Sequence, residues 1–339
     1  MEFGIAFKGE LGRERTIAIA RQLEVAGFDY AWFFDSHILW RDCYSQMAHI
    51  LEHTTNLRTG PLVTNPNVRD WSVAASLFAT LAVDHENRFD LAVGRGDSSM
   101  RVMGKRPATL ARMTEFIHAV KGMVRGDKVE YGDCPEPVQF DWANGYEMPA
   151  WVAAYGPKAL KTAGEEGDGL VVQLGDPNLA KWFIDQSIVA GEAAGRDMSN
   201  FRVLSCAPVW VGDRKKGVEQ TKWFPALVGN HVADIVEKYG QGSDLVPESL
   251  TRYIEQRKGA NADEGYNYQQ HADKNSDNTY YVTPEITDSF CILGEPEEHV
   301  AKIKELEAAG VTQFSIYLTN GEEERLIAEY AEHVIPHFK

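Results

Sequence analysis

Two ionisable side chains follow an apolar run of the chain that begins at Tyr30. Asp35 and His37 come directly after this run and are separated by Ser36. Because an imidazole changes charge near neutral pH and a carboxylate can fix its tautomer, the pair could carry out acid–base chemistry. The alternative is an aspartate that caps the next helix and a histidine that makes one backbone hydrogen bond. Taken alone, these residues favour the alternative.

A cluster of neutral hydrogen-bonding groups follows the next apolar run. Thr64, Asn65 and Asn67 surround Pro66, and their side chains could bind the polar edge of a heterocycle. An Asn-Pro pair is also a common way to open a loop. The binding interpretation therefore depends on what the neighbouring strand ends contribute.

Paired glycines, Gly94 and Gly96, follow the fourth run. Residues without a side chain let the backbone approach a flat ring or a phosphate closely. Ser99 stands where a dinucleotide fingerprint has its third glycine, so a loop that lines a site is better supported than a Rossmann pocket. Arg95 and Asp97, on either side of Gly96, could bind a cofactor and move protons, or could form a surface ion pair.

A phosphate site is predicted after the fifth run, at Tyr155, Gly156, Pro157 and Lys158. Proline at the first position of a helix leaves the following backbone N–H groups free, and the helix dipole attracts an anion there. Lys158 adds a positive charge. A tight turn between strand and helix, followed by a glycine-rich turn at 164–169, would explain the same residues.

Composition argues against several other classes of protein. The net charge of −16 disfavours binding to nucleic acid or to an anionic membrane, because both need a basic face. The four cysteines form no CxxC or CxH pattern, no GxSxG elbow occurs, and the first strand offers no metal ligand. No signal peptide or membrane span is indicated. We therefore expect a cytoplasmic enzyme without a bound metal.

Short β-type runs alternate with stretches of helical period, which predicts repeated βα units and a parallel sheet. Eight such units can close into a barrel, whereas an open Rossmann sheet would be expected to use fewer strands. We therefore predict a single domain over residues 1–339, a (β/α)8 TIM barrel with insertions at its C-terminal rim. The eight predicted strands are Phe3–Phe7, Tyr30–Asp35, Arg58–Thr64, Phe89–Val93, Ala150–Ala154, Gly169–Gln173, Arg202–Trp210 and Gln313–Leu318.

One connecting helix has a complete set of signals. Pro296 stands at a first-turn position, and Val300, Ile303 and Leu306 share one face. Gly310 follows as a terminator. The pattern predicts a helix that leads into the last strand.

Two segments interrupt the alternation. Residues 128–144 contain Gly132, Pro135 and Pro137, which predicts an excursion over the barrel rim. Residues from about 240 to 286 are polar and show little periodicity after Lys258. Loops of this length are usually functional lids or mobile segments, so we predict a polar, aromatic lid inserted between strands seven and eight.

In their order along the chain, the motifs resemble those of the bacterial-luciferase-like superfamily of flavin monooxygenases and deazaflavin-dependent reductases. The resemblance covers nearly the whole chain apart from the late insertion. Each motif is modest alone, but their order and spacing together are specific. The matching segments are Phe3-Gly4-Ile5, Gly27-Phe28-Asp29, Thr64-Asn65-Pro66, Arg88 to Asp97, Tyr155-Gly156-Pro157-Lys158-Ala159-Leu160, Gly167-Asp168-Gly169, Leu293-Gly294-Glu295-Pro296-Glu297-Glu298 and Ala309-Gly310-Val311.

The resemblance implies a (β/α)8 barrel, usually a homodimer or higher homo-oligomer, with FMN or the deazaflavin coenzyme F420 in the barrel mouth. It implies that the ring lies against Leu62 and Val63, where relatives often have a non-proline cis peptide. It also implies that the cofactor phosphate lies near Tyr155, Gly156 and the turn after Gln173.

One departure bears on the finer assignment. Relatives that work through the deazaflavin often carry Asp and His side by side on the second strand and a glutamate on the fourth. Here Ser36 separates Asp35 from His37, and the acid on the fourth strand is Asp97. A sugar-phosphate dehydrogenase role therefore does not transfer directly.

The residues and the resemblance together predict a monooxygenase that uses reduced FMN. It would oxygenate a small organic substrate with O2 and receive its FMN from a separate flavin reductase. The first alternative is hydride transfer through coenzyme F420, and the second is a barrel that binds flavin without turnover. The predicted catalytic residues are His37, Asp97 and Asp35, and the predicted cofactor-binding residues are Leu62, Val63, Thr64, Asn65, Arg95, Gly96, Tyr155, Gly156, Lys158 and Gln173.

Overall fold

Parallel strands surround a central core, as the alternation of strands and helices predicts. The structure, a computed structural model, describes residues 1–239, 251, 253–255, 257, 266–317 and 321–339. The strands are β1 (Glu2–Phe7), β2 (Tyr30–Phe33), β3 (Arg58–Pro61), β4 (Leu91–Val93), β5 (Ala150–Ala153), β6 (Gly169–Val172), β7 (Arg202–Ala207), β8 (Val209–Val211), β9 (Ile292–Gly294) and β10 (Gln313–Tyr317).

Eight of these strands form the barrel, in the order β3, β2, β1, β10, β7, β6, β5, β4. Parallel bridges from Thr59 to Phe89 and from Thr64 to Val93 join β3 to the β4 side and close the sheet on itself. The predicted (β/α)8 barrel is confirmed. Since all strands are parallel, their carboxyl ends and the loops that follow them lie on one rim.

Helices cover the outside of the barrel. Among the described residues none of them is long and apolar enough to cross a membrane. The α-helices are α1 (Arg13–Val25), α2 (Cys43–His53), α3 (Trp71–Asp84), α4 (Asp97–Arg101), α5 (Leu110–Arg125), α6 (Pro157–Glu166), α7 (Pro177–Ala193), α8 (Arg214–Thr221), α9 (Trp223–Tyr239), α10 (Pro284–Phe290), α11 (Pro296–Ala308) and α12 (Glu323–Glu329).

The predicted strand boundaries need two kinds of correction. Strands β2 and β3 end earlier than predicted, so Asp35 and Thr64 lie in the loops of the rim. The predicted strand Arg202–Trp210 is two strands, because Pro208 has no N–H to donate to a ladder and separates β7 from β8. Strand β8 leaves the barrel and pairs with β9, which the sequence did not predict, in a separate two-stranded sheet.

The late helix is confirmed as α11. A capping box between Glu295 and Glu298 begins it, and the predicted face of Val300, Ile303 and Leu306 is buried. Gly310 follows in the left-handed region, with φ of 108°, where a residue without Cβ is favoured.

The predicted excursion has no regular element of its own beyond a bridge between Val129 and Val138. Its Tyr131 reaches the N-terminus of α3 and donates a hydrogen bond to Asp70, the N-cap of that helix. Part of the predicted late insertion, residues 240–250, 252, 256 and 258–265, lies outside the described residues, and so does Leu318, the last residue of the predicted eighth strand. Residues 266–283, which we name the roof segment, are described.

A buried polar cluster fills the N-terminal end of the barrel. The carboxylate of Asp90, fully buried, accepts hydrogen bonds from Tyr30 Oη at 3.1 Å and Trp151 Nε1 at 3.0 Å. It also pairs with Arg58. Burial and the nearby Asp90 raise the pKa of Tyr30. This end lies opposite the rim, so the cluster stabilises the barrel without entering the candidate site.

We expect the fold to lose stability in mild acid through His299. This side chain of α11 is fully buried, and its Nε2 donates to the carbonyl of Trp210 while Nδ1 accepts from Tyr330. Burial lowers the pKa of His299 to about 4. The unfolded chain therefore binds a proton between pH 6.5 and 4 that the folded chain does not, and stability falls as the pH falls through this window. About 2 kcal/mol should be lost between pH 7 and pH 5.

Urea unfolding at several pH values measures this loss. In His299→Gln the stability at pH 7 should be lower, but its decrease toward pH 5 should be smaller by about 2 kcal/mol. His337→Gln removes an exposed histidine and is the matched control. Equal pH slopes in wild type and His299→Gln would contradict the assignment.

Candidate active site

Asp35 is a buried carboxylate that joins three elements at the rim. Its Oδ2 accepts hydrogen bonds from Tyr44 Oη at 3.1 Å, Thr64 Oγ1 at 2.7 Å and Arg69 Nη1 at 2.6 Å. The side chain is 1% exposed. Burial, with Asp35 nearby, raises the pKa of the Cys43 thiol. Asp35 therefore fixes the loop after β3 relative to α2, which places Thr64 and its neighbours.

His37 lies in the turn that follows Asp35, and its side chain is exposed at the rim. The hydroxyl of Ser36, which separates the two residues, lies 3.4 Å from the hydroxyl of Ser98 in α4. The loop after β2 is thereby held against the loop after β4. Asp35 and His37 do not form a hydrogen-bonded pair, so the carboxylate positions the loop and leaves the imidazole accessible.

Glycines after β4 let side chains from the loop after β3 pack closely against them. The peptide between Leu62 and Val63 is cis, as the resemblance implies. Asn65 is buried and donates from Nδ2 to Ser99 Oγ at 2.9 Å. A Cβ on Gly96 would lie 2.4 Å from Asn65 Cγ, and Gly96 has a φ of 80°. Only glycine fits this position, because any other side chain would collide with Asn65.

Arg95 and Asp97 do not form the ion pair that the sequence left open. Arg95 donates from Nε to the carbonyl of Ala108 at 2.6 Å. Asp97 pairs instead with Arg101, with Nε to Oδ1 at 2.5 Å. Its Oδ2 accepts a weak hydrogen bond from Tyr268 of the roof segment at 3.4 Å. Both side chains lie at the rim, and their predicted roles in cofactor binding and catalysis stay predictions.

A hydrogen-bonded chain crosses the mouth below the rim. Tyr155 donates to Gln173 Oε1 at 2.9 Å, and its own oxygen accepts from the Gln173 backbone. Gln173 Nε2 donates to Tyr317 Oη at 2.6 Å. Burial raises the pKa values of Tyr155 and Tyr317 far above the usual range, so both remain neutral hydrogen-bonding groups.

Gly156 begins α6 with extended backbone, at φ −83° and ψ 153°, and no side chain caps the helix. Proline follows at the first helical position, so the free N–H groups of the first turn are those of Lys158 and the residue after it. The Lys158 side chain is exposed beside them. This is the geometry that binds a phosphate at a helix N-terminus.

The roof segment lies over the mouth. Tyr268 contacts Asp97, and the ring of His271 lies 6.5 Å from that of Trp40 in the loop after β2. Lys8, just past β1, donates to the carbonyl of Ala272 at 3.3 Å. The described part of the predicted lid therefore contacts the rim at three separate strand ends. Burial and the nearby Asp97 raise the pKa of Tyr268 to about 12.

Two cavities lie next to the barrel mouth but not within it. One, of about 500 Å³, lies between the loop after β3, Arg112 and the tip of the excursion. The other, of about 470 Å³, lies between the loops after β1 and β2. The described residues bring together no group of three histidine, cysteine or acidic side chains that could hold a metal.

The sequence model of a family described as luciferase-like monooxygenase matches residues 1–313. The chain belongs to this luciferase-like family. The match spans every strand from β1 to β9, and thus the loops that form the mouth. Its members named below are enzymes, and this luciferase-like chain is an oxidoreductase.

Relatives match along nearly the whole chain. A 5,10-methylenetetrahydromethanopterin reductase from Archaeoglobus fulgidus is 28% identical over 326 residues, which cover 92% of each chain. An F420-dependent glucose-6-phosphate dehydrogenase from Amycolatopsis mediterranei is 23% identical over 353 residues, covering 96% of this chain and 95% of that one. The solved coenzyme F420-dependent tetrahydromethanopterin reductase from Methanopyrus kandleri has a TM-score of 0.78 at 24% identity, covering 100% and 99% of the two chains. It shares the fold.

Several contacts at this luciferase-like site were missed from the sequence. Arg69 and Tyr44 hold Asp35, Tyr317 closes the hydrogen-bonded chain, and Tyr268 links the roof segment to Asp97. The arginine follows the predicted Asn-Pro turn closely, which was the available signal. Tyr268 belongs to the predicted aromatic lid, although its contact with Asp97 was not predicted. Tyr44 and Tyr317 reach the mouth from a helix and the last strand, so nothing local to the motifs indicates them.

Proposed function

We propose that this luciferase-like protein is a coenzyme F420-dependent oxidoreductase that transfers a hydride between the deazaflavin and a small organic substrate. The observation that carries the proposal is the similarity, along nearly the whole chain, to enzymes named for F420. The hypothesis of an FMN-dependent monooxygenase has less support, since the relatives reported above are reductases and dehydrogenases. The proposed reaction needs neither O2 nor a separate flavin reductase.

When bound, F420 supplies two-electron redox chemistry that does not use oxygen. The mouth fits a flat ring of this kind. A Cβ on Gly94 would lie 2.9 Å from Val63 Cγ2, so the absence of a side chain at Gly94 lets the Val63 side chain pack closely there and form a wall of the mouth. We assign the ring to this wall, with Leu62 and Val63 against its face and Thr64 and Asn65 toward its polar edge. Asn65 is preoriented for that contact by its bond to Ser99.

The remaining side chains divide into three tasks. His37 is assigned to proton exchange with the substrate, because its imidazole is exposed at the rim and an imidazole can both donate and accept a proton. Asp35 is assigned to positioning the loops that carry His37 and Thr64. Asp97, through Tyr268, is assigned to holding the roof segment over the bound ligands, where it excludes water.

The phosphate of the cofactor is assigned to the start of α6, and Gly156→Val tests this assignment. The new side chain would project where the phosphate must approach the backbone, so cofactor affinity should fall about tenfold or more, since charge-assisted hydrogen bonds contribute roughly 1.5–3 kcal/mol each. The fold should tolerate the change, because Ile235 Cδ1, at 3.1 Å, is the only described neighbour within 4 Å of the new Cβ. A fluorescence titration with F420 measures the loss.

Gly12→Val is the matched control for this variant. Gly12 begins α1 with the same extended backbone, at φ −72° and ψ 161°, and also lacks a side-chain cap. Its Cβ would lie 3.8 Å from the nearest described side-chain atom, Arg41 Nη1. Affinity should be unchanged in this variant. Equal affinities for wild type and Gly156→Val, with both folded, would remove the start of α6 from the site.

Titration of the purified protein with F420 and, separately, with FMN tests the cofactor itself. Under the proposal F420 binds and FMN binds at least about tenfold more weakly. Tight binding of FMN without binding of F420 would overturn the proposal in favour of the flavin monooxygenase.

A further inference from the structure

Positive charge is concentrated in the connection between β4 and α5. Residues 95–112 contain five lysines and arginines but one acidic residue, Asp97, in a chain whose net charge is −16. Asp97 is already paired with Arg101. The other four cations are exposed, and none forms a salt bridge in the described part of the chain. We name them the rim strip, which consists of Arg95, Lys105, Arg106 and Arg112.

The fold brings the rim strip together rather than spreading it along a loop. Arg95 is bonded twice to Ala108, since its backbone carbonyl accepts from the Ala108 N–H at 2.8 Å and its Nε donates to the Ala108 carbonyl at 2.6 Å. This holds Arg95 against Ala108, which follows Lys105 and Arg106 by three and two residues in the chain. Arg112 follows in the first turn of α5, which Thr109 caps.

This placement is unfavourable for the free protein. The N-terminus of a helix carries partial positive charge and stabilises anions. The first turn of α5 contains no acidic residue, while the rim strip places cations beside it. Like charges at this short range repel each other. A bound anion would relieve both effects, so the charge pattern indicates a ligand.

The rim strip runs from the barrel mouth to the outside of the barrel. It starts at Arg95, between the two glycines at the barrel mouth, and ends at Arg112, which lines the 500 Å³ cavity outside the barrel. There the guanidinium lies 5.0 Å from the centre of the Trp71 ring and donates from Nε to Asn67 Oδ1 at 3.0 Å. An extended ligand that leaves the mouth can follow this path.

We propose that the rim strip binds an extended polyanion, a chain of carboxylates or phosphates that reaches outward from the barrel mouth. This rests on the proposed function, since the chain belongs either to the acidic side chain of F420 or to an acidic substrate. The strongly negative net charge disfavours a polyanion elsewhere on the surface. The strip thus orients the ligand as well as retaining it.

The test compares two forms of F420, one with several glutamates and one that keeps the phosphate but has no glutamate. Both forms share the phosphate, so their difference in affinity reports the groups that bind the glutamates, and the variant below shows how much of that difference the rim strip supplies. In the double variant Lys105→Glu with Arg106→Glu, affinity for the first form should fall about tenfold, with about a twofold change for the second. The effect should shrink at high salt.

The matched control is Lys215→Glu with Lys304→Glu, which makes the same charge change on α8 and α11. Both lysines are exposed, and neither forms a salt bridge in the part of the chain that the structure describes. Affinity for both forms of F420 should stay within about twofold of wild type. An equal loss in this control would reduce the rim strip to a contribution to net charge and overturn the proposal.

The remaining outcomes separate the two sources of the anion. Unchanged F420 affinity with a KM for substrate raised about tenfold would assign the strip to the substrate. No change in either quantity would overturn the proposal. If neither form of F420 binds the wild-type protein, the proposed function fails. Titration with inorganic tripolyphosphate then tests the rim strip independently of F420. If tripolyphosphate binds to the wild-type protein but not to the double variant, the result supports polyanion binding by the rim strip. Equal binding to both proteins, or no binding to either, overturns the proposal.

Discussion

Replacing His37 with phenylalanine is expected to lower kcat by about 10²–10⁴-fold while cofactor affinity changes little. Phenylalanine keeps the planar body of the side chain and removes only its ability to exchange a proton. The imidazole is exposed in the turn after β2, on the rim where barrel enzymes carry their chemistry. Steady-state kinetics together with a cofactor titration separate the two quantities.

His118→Phe is the control for this variant. His118 lies on α5 and contacts Glu166, outside the barrel mouth, so kcat should stay near the wild-type value. Full activity in His37→Phe would leave the fold and cofactor site intact. It would assign His37 to the structural alternative that the sequence left open.

Asp35→Ala is expected to destabilise the protein by about 3 kcal/mol and to weaken cofactor binding. The variant leaves the Arg69 guanidinium without the buried carboxylate that it contacts at 2.6 Å, and leaves Thr64 and Tyr44 without their acceptor. The protein loses far more folding stability when an arginine loses a buried carboxylate partner than when it loses an exposed one. Urea unfolding and a cofactor titration measure the two effects.

Asp42→Ala is the control that shows whether the effect of Asp35→Ala comes from burial of the ion pair or only from loss of a negative charge near Arg69. Asp42 pairs with the same arginine at 3.2 Å, but its side chain is half exposed. It also caps α2 through the Ser45 N–H, so its loss should cost only about 1 kcal/mol. Equal losses in the two variants would show that Asp35 does not organise the rim.

The barrel could be predicted from the sequence because its signals are local. The spacing of Val300, Ile303 and Leu306 and the alternation of apolar runs depend on residues close together in the chain. The pairing of β8 with β9 could not be predicted, because Val209 and Ile292 meet only in the folded protein. The early ends of β2 and β3 were missed for a related reason, since where a strand ends depends on its partners in the sheet.

In the candidate site, too, some features could be predicted from the sequence and others depend on contacts between distant residues. Strand ends converge on one face of any parallel barrel, so the placement of Asn65, Gly96 and Gly156 followed from the fold. Gly96 is needed for a reason the sequence did not give, since its backbone packs against Asn65. The Arg95–Asp97 ion pair, one of the two alternatives that the sequence left open, does not form, because α4 puts Arg101 one turn from Asp97 while Arg95 is held by Ala108.

Turnover under argon distinguishes hydride transfer through F420 from oxygenation. The purified enzyme is given F420, oxidised or reduced, and a set of small candidate substrates, with O2 removed. We expect the visible absorbance of the deazaflavin to change in proportion to product, and added O2 to leave the rate unchanged. Product formed only with reduced FMN, and with one O2 consumed per product, would contradict it.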